Sequence, residues 1–128
     1  MLNTRRDIDA VLEVIGLYDR GHATGDMGML ERAFHPRANV VGYFEGELMF
    51  ASRDEYLELL KNDPEPETDR AGPEIEVRSL AIVGDTAVAT VASTMVGTQF
   101  TSHLSLLRQA DTWQIVNGLF HAEPSEAG

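Results

Sequence analysis

The sequence predicts an α+β domain in which three N-terminal helices pack on a curved antiparallel sheet. Three observations carry that prediction. Helical periodicity recurs in residues 4–62, interrupted by one short hairpin signal. Four long strand-type segments then fill 74–121 in meander order, joined by tight turns. Helices and strands are segregated along the chain, which places the helices on one face of an antiparallel sheet.

The elements follow in order. Ile8, Val11, Leu12, Ile15 and Tyr18 recur at helical spacing, so the first helix spans 4–23, with the side-chain oxygens of Thr4 and Asp7 able to cap its orphan amides. Gly16 lies within it, which costs helix stability and suggests the close approach of another element. Asp26 suits the N-cap of a short second helix with one apolar stripe, Met27, Leu30, Ala33 and Phe34, and Pro36 stops it. Segments 38–44 and 47–50 flank Glu45-Gly46 as a hairpin in which glycine supplies a positive φ. Ser52 and Glu55 form a capping box ahead of Tyr56, Leu57 and Leu60, predicting a third helix that ends near Asn62. The stretch 63–73 is acidic, rich in proline and without apolar anchors, and reads as a solvated loop. Strands are expected over 74–83, 86–96, 98–108 and 113–121, with turns at Gly84-Asp85, Gly97 and Asp111-Thr112. Residues 122–128 have nothing to bury and read as a frayed tail, leaving one domain over 1–121.

Composition narrows the function. The chain has 128 residues, 43% of them hydrophobic and 24% charged, which suits one domain with one core. Its 21 acidic and 10 basic residues give a formal charge of −11, which repels phosphate backbones and anionic lipid head groups; neither nucleic acid nor membrane is an expected partner. The absence of cysteine excludes disulfides, thiolate metal sites and cysteine nucleophiles. It also fits a reducing compartment. Asp7, Asp9 and Glu13 interrupt any apolar run near the N-terminus, so a cytoplasmic location is expected. The histidines at 22, 35, 103 and 121 contain no i, i+4 pair, and neither a metal site nor a cofactor is expected.

Four groups of residues carry a family resemblance when taken in order: Tyr18, Gly21, Gly25, Asp26, Leu30, Phe34, His35, Pro36 and Ala38; the run 83–89; Phe100 and Thr101 with 104–107; and Trp113, Ile115, Val116, Asn117, Phe120 and His121. Together they resemble the nuclear transport factor 2-like superfamily, which includes ketosteroid isomerases, scytalone dehydratase and polyketide cyclases. The match is closer to a bacterial branch labelled putative lumazine-binding. The resemblance implies a cone-shaped cavity between the concave sheet face and the helices, and a homodimer formed through the outer face of the sheet. It does not imply one activity, since one fold hosts many chemistries. Gly118 departs from the pattern, because close relatives tend to carry lysine after the asparagine. Asn117-Gly118 could also be read as a tight turn, against which stands the shortness of the return strand that 119–121 would leave.

His103 is the leading acid–base candidate. It alternates in phase with Thr101, Ser105 and Leu107, and that face lines a pocket or forms the solvated or dimer side of the sheet. His35 could contact a ligand or brace the junction of helix and strand by bonding a backbone group. His121 reads as a rim residue, and His22 lies at a helix end. Tyr18 sits on the apolar stripe, where related dehydratases and isomerases place a phenol that binds substrate oxygen; the alternative is packing with its hydroxyl satisfied. Asp26 is explained as a cap, and Asp19, about 100° around the helix from Tyr18, as solvated. The strands from 86 onward offer only Asp111 as a carboxylate base, and it lies in a turn.

Three functions follow, in order of preference. The first is a binding protein for a small apolar or aromatic molecule, with Tyr18, Phe34, Tyr43, Phe50, Leu104, Trp113 and Phe120 lining the pocket and His35, His103 and Asn117 as polar contacts. The second is a cofactor-independent lyase, isomerase or cyclase in which His103 is the acid–base group and Tyr18 an oxyanion donor. The third is a dimerisation module with a vestigial cavity.

Overall fold

Residues 4–62, 75–95 and 97–124 are described by a computed structural model, and the expected loop at 63–73 lies outside them. The chain order is α1 (Arg5–Thr24), α2 (Met27–Ala33), β1 (Phe34–Phe44), β2 (Glu47–Ser52), α3 (Arg53–Lys61), β3 (Glu76–Val83), β4 (Thr86–Met95), β5 (Thr98–Gln109) and β6 (Thr112–Pro124). Three helices pack on one face of a curved six-stranded sheet ordered β2-β1-β6-β5-β4-β3. The sheet is mixed: β1 runs parallel to β6, and every other neighbouring pair is antiparallel. The expected antiparallel meander is therefore correct for β3 to β6, and the hairpin joins the same sheet through one parallel seam.

Local chemistry explains most boundaries. The Asp26 carboxylate accepts the Met29 amide at 3.1 Å and starts α2. Ser52 and Glu55 cap α3 reciprocally, at 3.1 and 2.9 Å. The Thr4 amide donates to Asp7 at 3.2 Å at the start of α1. α2 ends at Ala33, earlier than its apolar stripe suggested, and Phe34 opens β1. Pro36 then sits where the β1–β6 register shifts between Phe34 and Asn39, a place where its missing N–H breaks no regular ladder bond. The last turn lies at Ala110-Asp111, both at positive φ, one residue earlier than predicted.

The structure corrects several expectations. The buried line on α1 is Asp7, Val11, Val14, Ile15 and Asp19, whereas Ile8 and Leu12 are exposed. Asp19 is thus interior, because it stands four residues after Ile15 on the same face. Asp7 is drawn inward by Arg108 of β5, whose guanidinium lies 2.6 Å from it, 2.7 Å from Asp85 and over the Trp113 ring. Close approach occurs at Gly21 and not at Gly16: a Cβ at Gly21 would lie 2.7 Å from the Leu30 side chain. β6 continues through Asn117-Gly118 without a turn. It also takes in part of the supposed tail, since Ala122 is fully buried and accepts the Glu45 amide at 2.8 Å. Residues 125–128 lie outside the description. No described helix is long and apolar enough to cross a membrane.

The core joins Val11 and Ile15 of α1, Leu30 of α2 and Leu57 of α3 to Val40, Val91, Leu104, Leu106 and Ile115 of the sheet. At the parallel seam, Gly42 of β1 faces Phe120 of β6, and a Cβ on Gly42 would fall on the Phe120 carbonyl. Gly118, two residues along, would place a Cβ 3.6 Å from Leu104, an ordinary contact. Gly42→Ala should therefore destabilise the fold by about 3 kcal/mol, an overpacking cost, while Gly118→Ala shifts it by less than about 1 kcal/mol. Urea midpoints of the two variants check the contrast, which disappears if the seam is loose.

Candidate functional site

Four polar side chains from three elements meet on the inner face of the sheet. α1 supplies Tyr18 and His22, one helical turn apart; α3 supplies Tyr56; β5 supplies Ser102, which is 3% exposed. The Tyr18 hydroxyl donates to Ser102 Oγ at 3.3 Å. His22 Nδ1 lies 2.7 Å from the Tyr18 carbonyl oxygen, and its Nε2 lies 2.6 Å from the Tyr56 hydroxyl. The Tyr18 and His22 rings are 4.4 Å apart, and the fully buried Phe34 ring meets Tyr18 at 5.9 Å and Tyr56 at 6.1 Å.

The bonds fix proton positions. A carbonyl oxygen only accepts, so His22 Nδ1 carries a proton and donates to Tyr18 O. In the neutral ring Nε2 is then the acceptor, and the Tyr56 hydroxyl donates to it. Ser102, having accepted from Tyr18, retains one proton to donate. Burial pushes the Tyr56 phenol well above the ordinary tyrosine range, and the nearby Tyr18 adds to the shift. Burial also raises Tyr18, opposed by the bond to Ser102 and reinforced by Asp19. Both phenols are thus held in their protonated form, with the buried Asp19 contributing at Tyr18.

The predicted residues divide between the two sheet faces. Tyr18, Phe34, Leu104, Trp113 and Phe120 belong to the inner side with the helices. His103 does not join them. It alternates with buried Ser102 and Leu104, faces outward, and its Nδ1 lies 3.0 Å from the Thr90 hydroxyl. Tyr43 and Phe50 are 48% and 73% exposed, and Asn117 pairs with Ser105 on the outward phase. These four are corrections to the expected pocket lining, each set by the two-residue period of its strand. His35 stays at the junction of α2 and β1: its Nδ1 accepts the Arg37 amide at 3.0 Å, so Nε2 donates to Gln109 at 3.1 Å.

Sequence reasoning missed His22, Tyr56 and Ser102. The i, i+4 spacing of Tyr18 and His22 was the available signal, since it puts both on one helical face. Tyr56 stands in the sequence only as one of the residues after the α3 capping box, and the strand phase that turns Ser102 inward is not set by the sequence.

The raised phenols have a pH consequence. Below about pH 10 both tyrosines are protonated in the folded and unfolded chains alike, and their contribution is fully present. Above that, the unfolded chain releases protons the fold retains, so stability falls as pH rises toward the folded values. Absorbance titration near 295 nm should show a late ionising fraction that the Tyr18→Phe/Tyr56→Phe double variant lacks and that urea abolishes.

With the geometry established, similarity to known proteins adds context. An aldolase, FrzH, from Cladobotryum sp is 26% identical over 123 residues, covering 94% of this chain and 95% of that protein. A crystal structure of an NTF-2 like protein of unknown function from Silicibacter pomeroyi DSS-3 superposes with a TM-score of 0.83 at 27% identity, covering 95% of this chain and all of that one. A second such protein of unknown function, from Methylobacillus flagellatus KT, gives 0.83 at 26% identity, covering 94% and 95%. Residues 6–121 match the family described as putative lumazine-binding, and the chain, an NTF2-like α+β cone, belongs to that family.

Proposed function

We propose that the protein binds a small, largely apolar or aromatic organic molecule bearing carbonyl or hydroxyl oxygens, in the cytoplasm and on the concave face of its sheet. The observation that carries this reading is the convergence of Tyr18, His22, Tyr56 and Ser102, with the buried Asp19 beside Tyr18, against the apolar core. Such a surface offers a ligand apolar contact and a few directional hydrogen bonds. Membership of a family described by ligand binding supports it. In a thermal-shift panel of lumazines, steroids and hydroxylated polyketide-like aromatics, a bound compound at 100 times its Kd should add about 2.7 kcal/mol of stability. Tyr18→Phe should weaken that compound about tenfold, by the loss of one hydrogen bond. An unmoved melting temperature across the panel, with native mass spectrometry finding no retained compound, refutes the reading.

A cofactor-independent lyase, isomerase or cyclase is the second reading, favoured by an imidazole held between a phenol and a carbonyl and by the aldolase relative. The acid–base role then belongs to His22, because His103 faces away from the helices.

The outer sheet face supports self-association. Outward positions 39, 41 and 43 of β1, 117, 119 and 121 of β6, 101–107 of β5 and 86–92 of β4 include no Asp, Glu, Lys or Arg, in a chain of net charge −11. Val88 and Leu119 stand 53% and 47% exposed there. We infer that two copies pair through this face. Leu119→Glu should weaken the dimer by about 3 kcal/mol, by burying two unpaired charges, and light scattering across a dilution series reads the shift to monomer. A monomeric wild type at 100 micromolar, to an order of magnitude the upper limit for a specific contact, removes the inference.

A further inference from the structure

We propose that the open edge of β2, with the groove it forms against α3, takes up a short extended segment of a partner protein in which arginine or lysine alternates with apolar residues. β2 is the terminal strand of the sheet, and among the described residues no strand lies beyond it. The turn at Glu45-Gly46, both at positive φ, closes a two-residue hairpin, so Phe44 and Glu47 form a hydrogen-bonded pair. Pairs of that kind recur at every second position, Gly42 with Met49 and Val40 with Ala51. Glu47, Met49 and Ala51 therefore turn their backbone groups to β1, while Leu48 and Phe50 each turn an N–H and a C=O to the open edge. The Glu45 amide agrees with this phase, since it donates away from β2 to Ala122 of β6. Ser52, next in phase, donates its amide to Glu55 at 2.9 Å and ends the open stretch. The edge between is blunted by neither proline, lysine nor a register shift, the usual guards against an added strand.

Side chains select the occupant. Met49 and Ala51 turn to the inner side, where with Leu59, Asp54, Glu55 and Glu58 of α3 they line a groove of about 550 Å³. The groove thus combines three apolar side chains with three carboxylates. Asp54 is paired with Arg53 at 3.0 Å and Glu55 accepts the Ser52 amide, but Glu58 has no cation paired with it among the described residues. Inward side chains of an added strand lie over this groove, because residues on the same side of adjacent strands are neighbours. An arginine or lysine there lays its methylene stem on Met49 and Leu59 and brings its charge to Glu58. The alternate side chains of the segment fall on the outer side, beside Leu48 and Phe50, which are 55% and 73% exposed. Apolar residues suit that side. A second copy of this chain is the wrong occupant, since a pairing of β2 with β2 would bring Glu45, Glu47 and the groove carboxylates against like charges in a chain of net charge −11.

The probe is a fluorescein-labelled, end-capped peptide of seven residues alternating arginine with valine, titrated with the full chain and read by fluorescence anisotropy. Wild type should bind it with a Kd on the order of 100 micromolar or tighter, and a peptide with glutamate in place of arginine should not bind. Glu58→Lys should weaken binding at least about tenfold, and Phe50→Thr at least about threefold. Both side chains are exposed, and thermal midpoints confirm that each variant is folded; Glu58→Lys carries the test if Phe50→Thr is not. N-methylation separates strand pairing from charge attraction. In an added strand the amides of one alternate set face β2 and the others face solvent, so methylating the arginine amides or the valine amides should abolish binding in one case only. Loss in both cases, or retention in both, overturns strand addition. Absence of wild-type binding at about 1 mM peptide, or binding that Glu58→Lys leaves unchanged, overturns the site itself. The small-molecule reading survives each of these outcomes, because none of Tyr18, His22, Tyr56 and Ser102 lines the groove.

Discussion

The parallel seam between β1 and β6 is the constraint on which the rest of the molecule depends. The helices and the β1–β2 hairpin form one half of the chain, and the β3 to β6 meander forms the other; the sheet is continuous only where these two strands pair. The pairing brings Gly42 against the Phe120 carbonyl, a distance that admits a hydrogen and no methyl group. α3 is carried by the hairpin side, and Ser102 lies on the meander side. Tyr56 and Ser102 can therefore belong to one cluster only because the seam fixes the two halves in one register.

In the cluster the donors of Tyr18, His22 and Tyr56 each have an acceptor. Burying a phenol without a partner costs roughly 1–3 kcal/mol on mutational scales, and an imidazole is no cheaper. Here the helix supplies the first commitment: the Tyr18 carbonyl is one turn before His22 and takes its Nδ1 proton. That choice dictates the direction of the next bond, from Tyr56 to Nε2. A backbone group thus sets the orientation of a side-chain chain, and the backbone cannot rotate away as a side chain could.

The signals legible in the sequence were the local ones. Asp26, Ser52 and Glu55 cap the helices through bonds spanning three residues, and such bonds need no knowledge of the rest of the fold. Asp19 was misread because polarity alone sends a carboxylate to solvent, while its place four residues after Ile15 sends it inward. The parallel seam pairs residues some 78 positions apart, Asn39 with Asn117, and no local pattern encodes it. β5 was ambiguous for a different reason: hydroxyls occur on both of its faces, so alternation by itself could not say whether Ser102 or His103 turned inward.

That ambiguity resolves into a division of labour between the faces. A strand has two sides, and a slip of one residue would exchange them completely. With Leu104 and Leu106 committed to the core, Ser102 must point inward and His103 outward. His103 then stands beside Thr90, among outward positions free of Asp, Glu, Lys and Arg and away from the helices. The imidazole of the inner cluster comes from a helix, since the three remaining histidines of the chain are His22, His35 and His121, and only His22 reaches that cluster. The core packing of β5, far along the chain from α1, therefore turns His103 away from the cluster and leaves His22 as the imidazole within it.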